Sequence, residues 1–152
     1  MPSIAAQPAQ FLTMALFQFR EGNRKDPQMS PIAASLTNAE INELAAYFSK
    51  QKAAAPSHKN APENVAAGKA LTEKYNCVQC HGPALAGLQH IPRLAAQQRD
   101  YLQKQLRGFK AQTRSDFDGN MTSAAQPLSE KDIDVLADYL AGLGDPQTPP
   151  GQ

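Results

Sequence analysis

The apolar residues of this chain recur every three or four positions along several segments, which is the spacing of one face of an α-helix. No segment shows the strict alternation of apolar and polar residues that is typical of a half-buried strand. The periodic segments are 9–20, 63–75 and 98–109, and two more follow capping sequences at Thr37 and Ser129. The pattern therefore predicts an all-α protein.

Stretches of different composition separate the predicted helices. Glycine and proline interrupt 81–91 and predict a loop, and 113–128 is predicted to be mostly irregular. Residues 51–61 have the composition of a linker, and 145–152, with three prolines, predict a flexible tail.

The chain also repeats itself. Residues 91–114 align with 1–24 without a gap, and 121–140 align with 29–48 after a gap of two residues. The matches include proline, arginine and methionine in loops, so shared helical composition is a weak explanation. Because 62–90 has no counterpart in the first copy, we expect a complete unit, 62–144, preceded by the incomplete half of another, 1–50.

Both cysteines lie in one motif, Cys77-Val78-Gln79-Cys80-His81. This C-x-x-C-H pattern is typical of a c-type haem attachment site. Two thiols at this spacing can form thioethers to the two vinyl groups of one porphyrin, and the next residue can ligate the iron. A thioredoxin-like motif needs a βαβ setting, and a structural zinc site needs four ligands. The sequence offers neither, so it predicts one haem c.

Met121 is the predicted second axial ligand, opposite His81. A thioether ligand favours Fe(II) over Fe(III) and so raises the reduction potential. Met121 follows His81 by 40 residues, precedes the last predicted helix, and is matched in the first copy by Met29. His58 and His90 are rival ligands, and we expect both to be solvated instead.

Charge and hydropathy exclude several classes of protein. The formal net charge is +1 and no basic run is present, so nucleic acid is not an expected partner. No apolar run approaches the ~20 residues of a transmembrane helix. The N-terminus also lacks the pattern of a signal peptide. Because covalent haem is attached outside the cytoplasm, we expect a periplasmic protein whose export signal was lost or removed.

Taken together, these features resemble the class I c-type cytochromes, and specifically the dihaem cytochromes of the c4 type. The resemblance covers about 1–50 and 62–143. It is carried by 77–82 (CVQCHG), 92–97 (PRLAAQ), 101–106 (YLQKQL), 114–121 (RSDFDGNM) and 128–139 (LSEKDIDVLADY). It implies the cytochrome c fold, in which crossed first and last helices close a haem cleft.

The resemblance also implies a set of site residues. Cys77 and Cys80 form the thioethers, and His81 and Met121 are the axial ligands. Two further roles are implied, because the Pro92 carbonyl would accept the ring N–H of His81 and Arg114 would lie near a haem propionate.

Met29 matches the distal ligand of the missing unit. It is expected to ligate iron only if an absent N-terminal half supplies a second haem. The expected content is therefore one haem c per chain as given and two in a full-length dihaem form.

The expected function is one-electron transfer, with no bond-making step catalysed by the protein itself. The resemblance implies respiratory partners, a quinol-oxidising complex as donor and a terminal oxidase as acceptor. One alternative is a cytochrome subunit of a flavocytochrome or other dehydrogenase. Another is a haem sensor or enzyme that binds a small gas, which requires that Met121 is not a ligand. Residues 1–50, which lack a haem, are expected to be poorly stabilised by themselves.

Overall fold

The structure is a computed structural model that describes residues 1–144. Within these residues it is helical and contains no β-strand, which confirms the predicted all-α class. The helices are α1 (Ala9–Arg20), α2 (Met29–Ala34), α3 (Asn38–Ser49), α4 (Pro62–Lys74), α5 (Cys77–His81), α6 (Arg99–Lys110), α7 (Asn120–Ala125) and α8 (Glu130–Ala141), and a 3₁₀ turn spans Pro83–Leu85. None of the described helices is long and apolar enough to cross a membrane. The predicted flexible tail, 145–152, lies outside the described residues.

Two short helices were not predicted, and the second of them lies in 113–128, which was predicted to be mostly irregular. Each has six residues, and they begin at Met29 (α2) and Asn120 (α7). A helix of this length completes less than two turns, too few for a periodic apolar stripe to form. Met121 therefore lies on a helix, in contrast to the predicted loop position.

The capping sequences at Thr37 and Ser129 form reciprocal hydrogen bonds. The Glu40 backbone N–H donates to Thr37 Oγ1 over 3.3 Å, and the Thr37 N–H donates to the Glu40 carboxylate over 2.8 Å. Ser129 and Asp132 make the same pair of contacts, each over 3.0 Å. These boxes fix the first turns of α3 and α8, as their sequences predict.

The main apolar cluster lies between residues 85 and 141. Helices α4 and α6 both pack on α8 there. Its buried members are Leu85, Leu102, Phe109, Ala125, Leu128, Ile133, Leu136, Ala137, Leu140 and Ala141. The segment 1–50 buries fewer apolar residues, namely Leu12, Phe19, Ala33, Ile41 and Ala45.

Residues that the sequence alignment pairs make corresponding backbone contacts. The Ala6 N–H donates to the Phe48 carbonyl over 3.0 Å, and the Ala96 N–H donates to the Leu140 carbonyl over 3.0 Å. Both alanines have left-handed backbone angles, with φ of 57° at Ala6 and 58° at Ala96. The same tight turn therefore precedes α1 and α6.

Candidate haem-binding site

The single-turn helix α5 brings the cysteines and the histidine of the motif together. The helix is flanked by Asn76, which has a left-handed φ of 53°, and by Gly82, which has a φ of 76°. Residues three and four positions apart share a helix face, so Cys77, Cys80 and His81 lie on one side of α5. The two cysteines do not form a disulfide with each other.

The two thiols differ in their surroundings. Cys80 is exposed, whereas Cys77 is half-buried and packs against the main apolar cluster. Burial raises the pKa of the Cys77 thiol, because an ionised sulfur loses hydration inside the protein. The Cys77 position therefore favours a neutral sulfur, which is what a thioether provides.

His81 is buried, and its ring has a defined orientation. Its Nδ1 atom lies 2.8 Å from the Pro92 carbonyl oxygen, so a proton on Nδ1 donates to that carbonyl. Among residues 1–144, no other group hydrogen-bonds to the ring. The Nε2 atom then carries the lone pair that can bind iron.

The environment of His81 also keeps the ring in its ligating form. Burial lowers the pKa of His81, and the hydrogen bond to Pro92 opposes this effect only in part. A neutral imidazole is therefore favoured, and neutral imidazole is the form that ligates metal ions.

A tight loop carries Pro92 back to His81. Gly87 has a φ of 85°, and its N–H donates to the His81 carbonyl over 2.8 Å. A Cβ atom at Gly87 would lie 2.6 Å from the Arg93 backbone nitrogen, a distance that real Cβ contacts do not reach. Glycine at this position therefore allows the loop to fold back on the histidine.

Met121 is the second residue of α7 and packs against the same apolar cluster as Cys77. Asp116 holds the start of this helix. Its carboxylate accepts the Met121 N–H over 2.7 Å, the Thr122 N–H over 3.0 Å and the Thr122 hydroxyl over 2.5 Å. This role of Asp116 was not predicted from the sequence. The feature that could have indicated it is an acidic residue shortly before a helix start, where a carboxylate accepts hydrogen bonds from the free N–H groups of the first turn.

Arg114 contributes a largely buried positive charge. Burial, followed by repulsion from Arg24, lowers the pKa of Arg114 to about 10, so the guanidinium stays protonated at neutral pH. Its Nε–H has no hydrogen-bond partner among the described residues. Arg114 and Arg24 both donate to the side-chain oxygen of Gln105, and no described carboxylate lies within ion-pair distance of either. Arg24 and Arg114 together therefore form a positively charged site that could bind an anionic group.

The rival ligands His58 and His90 are partly exposed, and each contacts a carboxylate. His58 Nε2 lies 2.7 Å from Asp138 Oδ1, and His90 Nε2 lies 3.5 Å from Asp118 Oδ2. Their side chains are 28% and 33% exposed, respectively. These contacts were not predicted because each joins residues that are distant in sequence.

The residues at this site fit a covalently attached haem. The donor set combines two thiols, a buried neutral imidazole and a thioether sulfur, and a buried guanidinium with an unpartnered N–H suits a propionate. When bound, haem c supplies an iron that alternates between Fe(II) and Fe(III). The Pro92 carbonyl orients the imidazole, and the apolar cluster that Cys77 and Met121 contact would lie beside the group.

Comparisons with known proteins agree with this chemistry. The family model for cytochrome c matches residues 65–144. A cytochrome c4 from Thiocapsa roseopersicina is 35% identical over 93% of this chain and 78% of its own length. A thiosulfate dehydrogenase electron acceptor from Stutzerimonas stutzeri is 34% identical over 97% of this chain and 73% of its own length. The structure of cytochrome c4 from Acidithiobacillus ferrooxidans superposes with a TM-score of 0.85 at 28% identity, covering 94% of this chain and 88% of that one.

The chain therefore belongs to the cytochrome c family, and within that family it is homologous to cytochrome c4. The predicted cytochrome c fold, the covalently bound haem c and the function of one-electron transfer are confirmed. The protein is an electron carrier.

Proposed function

We propose that this protein transfers single electrons through a haem attached to Cys77 and Cys80, with His81 and Met121 as axial ligands. The observation that carries the assignment is the 2.8 Å contact between His81 Nδ1 and the Pro92 carbonyl. This contact fixes the tautomer and leaves Nε2 for the iron. Met121 is supported by its place in the cluster that also contains Cys77.

The two ligands suit a carrier better than an enzyme. With both axial positions held by side chains, no open position is left for a substrate or a gas. A hydrogen-bonded histidine is a stronger donor to iron, whereas a thioether favours the ferrous state. The two ligands would therefore shift the reduction potential in opposite directions.

Arg114 is proposed to hold a haem propionate. Its unpartnered N–H and its depressed pKa both indicate a positive charge that an anion would stabilise. A propionate at this position would offset the repulsion between Arg114 and Arg24. It would also fix one edge of the porphyrin through charge-assisted hydrogen bonds.

We propose that the electron donor is a dehydrogenase of the thiosulfate-oxidising type. The support is the relative named as a thiosulfate dehydrogenase electron acceptor, which this chain matches over 97% of its length. The segment 1–50 also exposes apolar side chains that suit a partner protein, among them Phe17 (46% exposed), Ile32 (60%) and Tyr47 (60%). The periplasm is the proposed compartment. Respiratory complexes, with a quinol-oxidising donor and a terminal oxidase acceptor, are the alternative partners.

We further propose that the chain contains a tandem repeat, with 1–50 as an incomplete cytochrome c-like unit, 51–61 as a linker and 62–144 as a complete unit. The paired turns at Ala6 and Ala96 support this division. In the complete unit α4 covers α8. The corresponding face of α3, with Leu44 and Tyr47, borders an open groove that Leu36 also lines.

Met29 would ligate an iron only if a polypeptide with its own haem motif covered that face of α3. Its N–H is held by Asp26 over 3.1 Å, much as Asp116 holds the N–H of Met121. One haem per chain is the proposal for the sequence as given, and a second haem requires that additional polypeptide.

Rapid mixing tests the proposed partner. Oxidised holoprotein is mixed with a thiosulfate dehydrogenase and thiosulfate, or with a quinol-oxidising complex and quinol, and haem reduction is followed by absorbance. The proposal predicts faster reduction by the dehydrogenase, with a rate that saturates as its concentration rises. Faster reduction by the quinol-oxidising complex would favour the respiratory alternative.

A further inference from the structure

The segment 1–50 reaches the haem site through one buried side chain, Gln7. Its Nε2 donates to the Arg93 carbonyl over 3.0 Å, and its Oε1 accepts the Arg93 N–H over 2.9 Å. Gln7 is only 4% exposed, so neither contact competes with bulk water. The amide thus pairs with the backbone of Arg93 as a neighbouring strand would.

The Arg93 N–H belongs to the same peptide group as the Pro92 carbonyl, which accepts the ring N–H of His81. A peptide group is planar and conjugated, so a hydrogen bond to its N–H makes its oxygen a stronger acceptor. Two hydrogen bonds, of 2.9 Å and 2.8 Å, therefore connect Gln7 Oε1 through this peptide group to His81 Nδ1.

Packing fixes the same loop from the same side. A Cβ atom at Gly87 would meet Pro8 Cγ at 2.9 Å as well as the backbone of Arg93. Pro8 and Gln7 therefore brace the loop between Gly87 and Arg93 together. The loop cannot move away from His81 without breaking contacts with residues that precede α1.

A second glutamine makes an equivalent pair of hydrogen bonds, but not with the loop that contacts His81. Gln97, which the alignment pairs with Gln7, accepts the Ser3 N–H over 2.7 Å and donates to the Ser3 carbonyl over 2.9 Å. It is 5% exposed. Gln97 therefore joins the two segments by the same pair of hydrogen bonds, but the backbone that it holds lies in the first segment.

We infer that Gln7 is a positioning residue that strengthens the hydrogen bond between Pro92 and His81 and thereby lowers the reduction potential of the haem. A stronger hydrogen bond makes the imidazole a better electron donor, which stabilises Fe(III) relative to Fe(II). The inference rests on the proposed ligation by His81. It gives 1–50 a role in tuning the haem of the other segment.

The test compares Gln7→Met with Gln97→Met in the holoprotein. Methionine keeps the length of the side chain and removes its hydrogen bonds, two at Gln7 and three at Gln97, whose Oε1 also accepts the Gln98 N–H over 2.9 Å. At a fixed applied potential, Gln7→Met should raise the ratio of ferrous to ferric haem about two- to fivefold. Gln97→Met should leave it unchanged within error, although both variants should lower the unfolding midpoint by similar amounts.

A second readout follows the His81 ring proton by NMR in the ferrous state. In Gln7→Met the Nδ1 proton should move upfield and exchange faster with solvent, whereas in Gln97→Met it should stay in place. Equal potentials and equal proton shifts in the two variants would overturn the inference. Failure of the proposed ligation would be seen separately, as a wild-type haem that lacks a histidine ligand.

Gln7→Glu provides the test if Gln7→Met fails to take up haem. Its side chain can still accept the Arg93 N–H and loses the donated bond to the Arg93 carbonyl. A carboxylate accepts the Arg93 N–H at least as strongly as the amide does, so the His81 Nδ1 proton should stay in place or move downfield. An upfield shift in this variant would contradict the proposed series of hydrogen bonds.

Discussion

A Cβ atom placed on Gly68 would stand 2.2 Å from the Cβ of Tyr139, so α4 and α8 meet at a point where only glycine fits. A second contact lies beyond the end of α4, where the Tyr75 hydroxyl donates to the Asp132 carboxylate over 3.0 Å. The two contacts set how α4 covers α8, and α5 with the haem motif follows directly after α4.

Gly68→Ala should destabilise the holoprotein, because the added methyl group would force α4 and α8 apart. Overpacking of this kind costs about 1–3 kcal/mol, more than the ~1 kcal/mol by which alanine favours a helix over glycine. Urea unfolding of the holoprotein measures the loss. The control is Ala67→Gly, at an exposed position of the same helix. The control should lose about 1 kcal/mol from helix propensity alone. A gain of about that size in Gly68→Ala, as expected at an unhindered helix position, would argue against the close crossing.

Met121→Leu should open the iron to external ligands. Leucine keeps an apolar side chain of similar size in the cluster but cannot coordinate iron. We expect wild-type ferrous protein to resist CO, the variant to bind CO stoichiometrically, and its potential to fall because the thioether no longer favours Fe(II). Met14→Leu, on α1, serves as the control. Ready CO binding by the wild type would support a gas-binding function instead.

Arg114→Met should lower the reduction potential, since a buried positive charge beside the haem opposes the extra charge of Fe(III). An interaction of order 1 kcal/mol between partly buried charges would change the ratio of ferrous to ferric haem about fivefold. The matched control is Arg107→Met, which removes the same charge from an exposed ion pair with Glu130 and Asp134. A potentiometric titration in which both variants shift equally would contradict a specific role for Arg114.

Asp138 should make stability depend on pH. Its burial raises the pKa, but hydrogen bonds from His58 and the Ala61 N–H outweigh this effect, and the folded-state pKa lies below its ordinary value. The stabilisation is therefore present above the unfolded-state pKa of about 4 and is lost as pH falls through the lower folded value.

The corresponding test is Asp138→Asn, followed by urea unfolding at several pH values. The variant should lose about 1–3 kcal/mol near pH 7, because it leaves buried donors poorly paired. The difference from wild type should shrink as the pH falls below 4. If the loss of unfolding free energy stays constant from pH 7 to pH 3, the carboxylate charge contributes nothing to stability.

Native-state hydrogen exchange should separate the two segments. The main apolar cluster lies between residues 85 and 141, and α3 leaves one face beside an open groove. Amides of α1 and α3 should therefore exchange through openings of lower free energy than those of α6 and α8. Equal protection in both segments would mean that residues 1–50 are as stable as the haem unit.

Local signals predicted more of this fold than long-range contacts did. The capping boxes at Thr37 and Ser129 were predictable because each lies within four consecutive residues. The six-residue helices at Met29 and Asn120 were missed because so short a segment has no periodic pattern. The contacts of His58 with Asp138 and of Gln7 with Arg93 join residues 80 and 86 positions apart, which no local pattern encodes.

At the candidate site, too, local features were predictable from the sequence and long-range contacts were not. The spacing of Cys77, Cys80 and His81 predicts the chemistry because one helical turn brings them to one face. Asp116 and Gln7 contact the backbone of Met121 and Arg93, and a contact to backbone leaves no mark on the sequence of its partner. The repeat paired Gln7 with Gln97, but their different effects depend on which backbone each one holds.

The central claim is that Cys77 and Cys80 carry a covalently bound haem. The most direct test is the intact mass of the haem-stained protein after extraction with acidified acetone, which removes non-covalent haem. The expected mass is that of the chain plus one haem, and the added mass should be lost when both cysteines are replaced by alanine. A wild-type protein with the mass of the chain alone would contradict it.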